Sequence, residues 1–140
     1  MNLFGKYRIG LGTRNLLTLT MSSFQSDWNA SGQIPQRAVD QGLITRWGAI
    51  DDTEGGITSR QNLNLSLQSQ LADGSVLSQQ IYASRYAFEL YSNFTFFLND
   101  PVNGDQIRQR ENRNMRGYRG TWTKQHLLLD QRAELKLGWG

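Results

Sequence analysis

Polar and apolar residues alternate along most of the chain, and the longest alternating stretch runs from Val76 to Leu98. From Tyr82 onward every second residue is mostly aromatic or aliphatic, whereas the positions between them include Arg85 and Glu89. A period of two is that of a β-strand with one apolar side. Strands in soluble proteins usually have about 5–6 residues, whereas this stretch has 23. A strand of that length is typical of a transmembrane β-barrel. Such a strand crosses the hydrocarbon layer of the membrane in about 9–11 tilted residues and can continue beyond it.

Five further segments alternate in the same way, and each predicts a strand with apolar residues on one face. The apolar sets include Leu17, Leu19 and Met21 in one segment and Leu63, Leu65 and Leu67 in another. The segments are Leu3–Gly12, Leu17–Trp28, Gln61–Leu71, Arg113–Leu128 and Ala133–Gly140.

The connections between these strands alternate in length. Short turns are predicted near residues 13–15, 72–75 and 129–132, and the Asp73-Gly74 pair is the strongest hairpin signal among them. Long loops are predicted at 29–60, with a short helical turn at 36–43, and at 99–112, where Asn103-Gly104 marks a turn. Outer-membrane barrels have short periplasmic turns and longer extracellular loops.

The predicted fold class is therefore all-β, with about six long antiparallel strands in up-and-down meander order. We expect residues 1–140 to form a single partial barrel segment, an open curved slice of a transmembrane β-barrel. A self-contained soluble β-sheet or barrel that binds a small ligand is the alternative, and the length of the chain favours it.

The amino-acid composition excludes several kinds of site and partner. The absence of cysteine excludes a disulfide scaffold and a cysteine-ligated metal, and the single histidine, His126, excludes a multi-histidine metal site. The net charge of +3 is spread along the chain without a basic stripe, so no nucleic-acid partner is expected. No nucleophile and base are suggested, so neither an enzyme nor a cofactor is predicted.

The first residues contain no continuous apolar core followed by a cleavage site, as a secretory signal peptide would. We therefore expect either that the chain is not exported or that it is a piece of a longer protein.

Four stretches of the sequence resemble the barrel region of bacterial TonB-dependent outer-membrane receptors. They read SGQIPQRAV, GAIDDTEGG, LYSNFTFFL and DPVNGDQIRQ, and the likeness extends over nearly the whole chain. The resemblance implies part of a barrel of about 22 strands, with the N-terminal plug domain and the remaining strands absent from this chain.

The same resemblance implies a function and a location. Receptors of this family take up ferric siderophores, other metal chelates or other scarce nutrients across the bacterial outer membrane. The implied partners are the lipid bilayer, the plug domain and remaining strands, a small-molecule nutrient and, through the parent receptor only, the TonB energising complex.

Two groups of residues are candidate contact sites. The alternation of the longest strand predicts that Tyr82, Tyr86, Phe88 and Leu90 face lipid. Aromatic and basic residues in or near the long loops are candidate ligand contacts, namely Trp28, Arg46, Trp47, Arg108 and Arg110.

Three acidic residues, Asp51, Asp52 and Glu54, precede Gly55-Gly56 and form the densest cluster of oxygen ligands in the sequence. Ca²⁺ prefers several oxygen ligands, and paired glycines let a loop fold around an ion. These residues are therefore a candidate calcium site, although their spacing does not match an EF-hand and a solvated acidic loop is the simpler interpretation.

Overall fold

A computed structural model, which describes residues 1–102 and 104–140, confirms the predicted fold class. The chain forms one open sheet of six antiparallel strands in the order β1-β2-β3-β4-β5-β6. Alternating residues and β-branched or aromatic side chains favour the extended backbone of each strand. The elements are β1 Asn2–Leu11, β2 Asn15–Asn29, α1 Gln36–Asp40, β3 Gly55–Gln70, β4 Val76–Ser92, β5 Ile107–Leu128 and β6 Gln131–Trp139.

The chain divides into two compact units. We call one of them the loop unit; it consists of Met1, Phe24–Ser59 and Tyr86–Arg113 and contains both long connections. We call the other the strand unit; it consists of Asn2–Ser23, Arg60–Arg85 and Asn114–Gly140 and contains all three short turns. The predicted alternation of short and long connections is therefore present.

The boundaries of the long connections differ from the prediction. The connection predicted at 29–60 ends earlier, because β3 begins at Gly55. A Cβ on Gly56 would lie 2.7 Å from the Trp28 ring, so the glycine that suggested a loop instead allows β3 to pass close to Trp28. The predicted helical turn at 36–43 corresponds to α1.

The second long connection begins and ends earlier than predicted. Strand β4 ends at Ser92 rather than near Leu98, and β5 begins at Ile107 within the predicted loop 99–112. Phe96 has a positive φ of 59°, which excludes it from a regular strand. Gly104, at φ 85°, fits the predicted turn, whereas Asn103 lies outside the described residues.

The turn between β3 and β4 is held by a network of side chains in the strand unit. The Ser75 hydroxyl is fully buried and donates to Asp73 Oδ1 at 2.6 Å, and the indole N–H of Trp122 donates to Ser75 Oγ at 3.0 Å. Lys124 Nζ lies 2.9 Å from Asp73 Oδ2. The hydrogen bonds from Ser75 and Lys124 hold the pKa of Asp73 well below its ordinary 3.8. The side chains of Trp122 and Lys124 thus join the turn between β3 and β4 to strand β5.

We expect the substitution Asp73→Asn to loosen this turn, because the carboxylate that accepts from Ser75 and Lys124 is lost. Hydrogen exchange of the Ser75 amide and the Trp122 indole should become roughly tenfold faster. Asp130→Asn, in the turn between β5 and β6, is the control and should leave both rates unchanged. Equal rates in the two variants would contradict the network.

The low pKa of Asp73 gives the same network a defined pH dependence. A carboxyl whose pKa is lowered by folding stabilises the fold above its unfolded value and stops doing so as the pH falls through the folded value. Protection of the Trp122 indole should therefore be constant from about pH 7 to pH 4 and decline only at lower pH.

Candidate functional site

One face of the strand unit is polar, and cross-strand hydrogen bonds define it. Asn62 Nδ2 donates to Ser22 Oγ at 2.9 Å, and Ser84 Oγ donates to Asn62 Oδ1 at 2.7 Å, which joins β2, β3 and β4. Side chains two residues apart share a face of a strand. This face, the polar face, therefore also includes Thr18, Thr20, Asn64, Ser66, Ser78, Gln80 and Tyr82.

The opposite face of the strand unit is apolar. Leu17, Leu65, Ile81 and Tyr118, from four successive strands, line one shallow cavity of about 200 Å³. Trp122 and Leu137 face each other across β5 and β6. By the same alternation, this apolar band comprises Leu17, Leu19, Met21, Leu63, Leu65, Leu67, Ile81, Tyr118, Trp122, Leu135, Leu137 and Trp139.

Charged residues bound the apolar band at both ends of its extent along β5 and at one end along β4. On β5, Arg116 precedes Tyr118 in the same register and Lys124 follows Trp122. On β4, Arg85 is the next charged residue beyond Ile81 and Ala83 in that register. Arg116 and Lys124 are eight residues apart, which corresponds to about 27 Å along a strand. The band is therefore a strip of limited width and not an apolar surface of indefinite extent.

The apolar band is not covered by the part of the chain that the structure describes. No hydrophobic side chain among the described residues is buried, whereas Leu63, Ile81 and Leu137 are 47%, 51% and 53% exposed. Contiguous exposed apolar surface marks a site of contact with protein or membrane. The band is therefore a contiguous exposed apolar surface of the kind at which such contacts are made.

The aromatic residues of the band satisfy their polar groups locally. Trp139 Nε1 donates to the Tyr118 hydroxyl at 3.1 Å, and the Trp122 indole is bound by Ser75 in the turn. A Cβ on Gly120 would lie 2.3 Å from the Trp139 ring, so glycine is required beneath that indole. Tryptophan and tyrosine with an apolar body and a paired polar tip are enriched at membrane–water interfaces.

The four residues predicted to face lipid are divided between the two units. Tyr82 belongs to the polar face, where its hydroxyl occupies the space that a Cβ on Gly117 would need. Tyr86 and Phe88 lie in the loop unit, where their rings stack at 6.3 Å and Trp28 packs against Phe88 at 6.2 Å. Leu90, also in the loop unit, is half-buried. In the strand unit, the β4 residue that joins the leucines of β2 and β3 is Ile81.

A second cluster lies in the loop unit and centres on Asn93. The backbone N–H of Asn93 donates to Glu54 Oε1 at 2.6 Å, and its side-chain Nδ2 donates to Asp51 Oδ2 at 3.0 Å. Glu54 and Asn93 are each only 4% exposed. Gly32 approaches the Glu54 carboxylate so closely that a Cβ there would lie 2.3 Å from Oε2. This cluster, the Asn93 cluster, ties the two long connections together.

Gln106 completes the Asn93 cluster from the end of the second long connection. Its Nε2 donates to Thr53 Oγ1 at 2.6 Å, and Thr53 in turn donates to Asp51. Hydrogen bonds from Thr53 and Asn93 lower the pKa of Asp51. A cavity of about 300 Å³ lies beside the cluster and is lined in part by Ile50, Phe96 and Phe97.

The predicted calcium site is not formed by Asp51, Asp52 and Glu54. Across residues 1–102 and 104–140, no group of three or more acidic, histidine or cysteine side chains is placed to hold a metal ion. Asp51 and Glu54 accept hydrogen bonds from Asn93 instead, and Asp52 is exposed. The acidic segment therefore anchors the loop.

The predicted ligand contacts occupy three different places in the loop unit. Arg108 and Arg110 lie on β5 rather than in a loop, where Arg108 pairs with Glu89 at 2.9 Å and its guanidinium lies 5.7 Å from the Tyr91 ring centroid. Trp28 is the penultimate residue of β2 and packs on Phe88. Arg46 and Trp47 are exposed in the first long connection, Trp47 at 89%.

Comparison of the chain with models of protein families, with curated proteins and with solved structures gave no match.

No helix within the described residues is long and apolar enough to cross a membrane.

We expect Glu54→Ala to release the two long connections, because it leaves the buried N–H of Asn93 without an acceptor. The cost of an unsatisfied buried donor is about 1–3 kcal/mol. Hydrogen exchange at the Asn93 amide and proteolysis within residues 30–54 should both become faster. Asp52→Ala removes an exposed neighbouring carboxylate and should change neither; an equal effect would mean that charge, and not the Asn93 cluster, holds the loops.

Proposed function

We propose that this chain is part of the barrel wall of a bacterial TonB-dependent outer-membrane receptor for the active uptake of a scarce nutrient, such as a ferric siderophore or another metal chelate. The observation that carries the proposal is the apolar band of the strand unit. It is exposed, continuous over β2 to β6 and bounded by Arg116 and Lys124 along β5.

The width of the band supports a lipid contact. Arg116 and Lys124 delimit about 27 Å along β5. Strands of outer-membrane barrels are tilted by about 35–45°, so that length corresponds to roughly 20 Å of height, close to the lipid-facing band of about 25 Å in such barrels. Arginine and lysine side chains at the two borders extend readily to the polar headgroups.

The distribution of polarity supports the same proposal. A soluble β-barrel packs apolar side chains inside and leaves polar ones outside, so its hydrophobic residues are buried. The described residues of this chain contain no buried hydrophobic side chain, and the polar face carries the hydrogen-bonded row of Ser22, Asn62 and Ser84. Both faces are accounted for if the polar face lines a lumen that holds water or the plug domain and the apolar face contacts lipid.

The edges of the sheet support a larger barrel. In the strand unit, β1 and β6 are the terminal strands of the sheet order and do not pair with each other. Unpaired backbone groups are costly in hydrocarbon, so a lipid-embedded sheet requires further strands on both sides. In the proposed receptor, those strands and the plug domain complete the pore, and the TonB complex supplies energy through the parent protein.

The long connections are the proposed nutrient-facing region. Both belong to the loop unit, and the Asn93 cluster holds them beside the cavity lined by Phe96 and Phe97. Among outer-membrane barrels, we propose a TonB-dependent receptor because the SGQIPQRAV and GAIDDTEGG stretches resemble that family. The proposed location is the bacterial outer membrane, and the proposal includes no catalytic role.

We expect Leu65→Arg and Asn64→Arg to differ in their effect on membrane binding. Both residues are half-buried neighbours on β3, but Leu65 lies in the middle of the apolar band and Asn64 lies on the polar face. Leu65→Arg should weaken partition of the full chain into phospholipid vesicles by about 2–4 kcal/mol, the cost of a lipid-facing charge near the bilayer midplane.

Asn64→Arg should weaken the same partition by less than about 1 kcal/mol, because its charge faces the lumen. Vesicle flotation over a range of lipid concentrations gives both values. Equal penalties for the two variants would exclude the assignment of faces on which the proposal depends.

A further inference from the structure

The polar face of the strand unit contains a cavity of about 350 Å³ between β3, β4, β5 and β6. Its lining includes two cationic side chains and several neutral polar groups, and it contains no carboxylate. The polar lining residues are Ser66, Ser78, Gln79, Gln80, Arg119, Thr121 and Lys136.

The two cations of this cavity have no acidic partner. Arg119 is oriented by a hydrogen bond from its Nε to Gln80 Oε1, which leaves its terminal amino groups to other acceptors. Within the described residues, neither Arg119 nor Lys136 makes an ion pair. A guanidinium and an ammonium that share a cavity without a counter-charge raise the affinity of that cavity for anions.

The charge of the surrounding unit strengthens this effect. The strand unit holds ten of the 15 Lys and Arg residues but only three of the 12 acids. Of those acids, Asp73 is paired with Lys124 and Asp130 lies in a turn. Glu134 lies two residues from Lys136 on the same face of β6, where it accepts a hydrogen bond from Gln125, so it offsets part of the positive charge beside the cavity. No carboxylate lines the cavity itself.

We propose that this cavity binds a small organic or inorganic anion that carries at least two carboxylate or phosphate groups. Arg119 presents a planar pair of donors to one such group, and Lys136 places a point charge on another. The hydroxyls of Ser66, Ser78 and Thr121 supply further donors. The volume lies at the lower end of ligand cavities, which suits a small molecule.

Anion binding in this cavity uses only side chains of the polar face, whereas the proposed membrane contact is made by the apolar band on the opposite face. The chain could therefore bind an anion without contacting lipid, or contact lipid without binding an anion.

Titration calorimetry of the full chain in a non-ionic detergent tests the proposal with two probes, pyrophosphate for phosphate and succinate for carboxylate. We expect saturable binding of at least one probe at low ionic strength. Arg119→Gln and Lys136→Gln should each weaken it roughly tenfold, the usual effect of losing one charge-assisted hydrogen bond.

Arg116→Gln is the matched control, because it removes one positive charge from the same strand but from the opposite face. It should change the affinity less than twofold. Circular dichroism of each variant verifies its fold, and if Arg119→Gln does not fold, Lys136→Gln on the exposed strand β6 gives the same test. Absence of saturable binding by both probes, or an equal loss in Arg116→Gln, would overturn the proposal.

Discussion

The pairing register of the strands is the constraint on which the rest of this structure depends. Because side chains alternate between faces, a shift by one residue would exchange the polar and apolar sets of a whole strand. The hydrogen bonds from Ser84 to Asn62 and from Asn62 to Ser22 fix that register on one face, and the pairing of Trp122 with Leu137 fixes it on the other. Both the apolar band and the cavity that contains Arg119 and Lys136 form only in this register.

Much of the fold could be predicted from the sequence, because alternation and turn residues are local signals. The six strands, the alternation of short and long connections and the leucine faces of β2 and β3 were all predicted from those signals. The orientation of β4 was not. Both of its registers contain apolar residues, and Tyr82 reaches the polar face only because Gly117 on the neighbouring strand leaves room for its ring.

The Asn93 cluster shows a second limit of sequence reasoning. Asp51 and Glu54 look like ion ligands when only their own segment is considered, and the residue that binds them lies about 40 positions later. The one local indication that Asn93 leaves the strand was the end of the alternating pattern after Ser92, where Asn93 stands between aromatic residues. In the loop unit, such polar contacts take the place of a hydrophobic core, which the described residues do not form.

Accessibility of spin labels along β3 in lipid bilayers tests the central claim most directly. The chain has no cysteine, so each position from Asn62 to Gln68 can carry a single introduced one. The account predicts that exposure to lipid-dissolved oxygen oscillates with a period of two, with maxima at Leu63, Leu65 and Leu67, while exposure to an aqueous nickel reagent follows the opposite phase. Equal exposure of both registers to the aqueous reagent would contradict it.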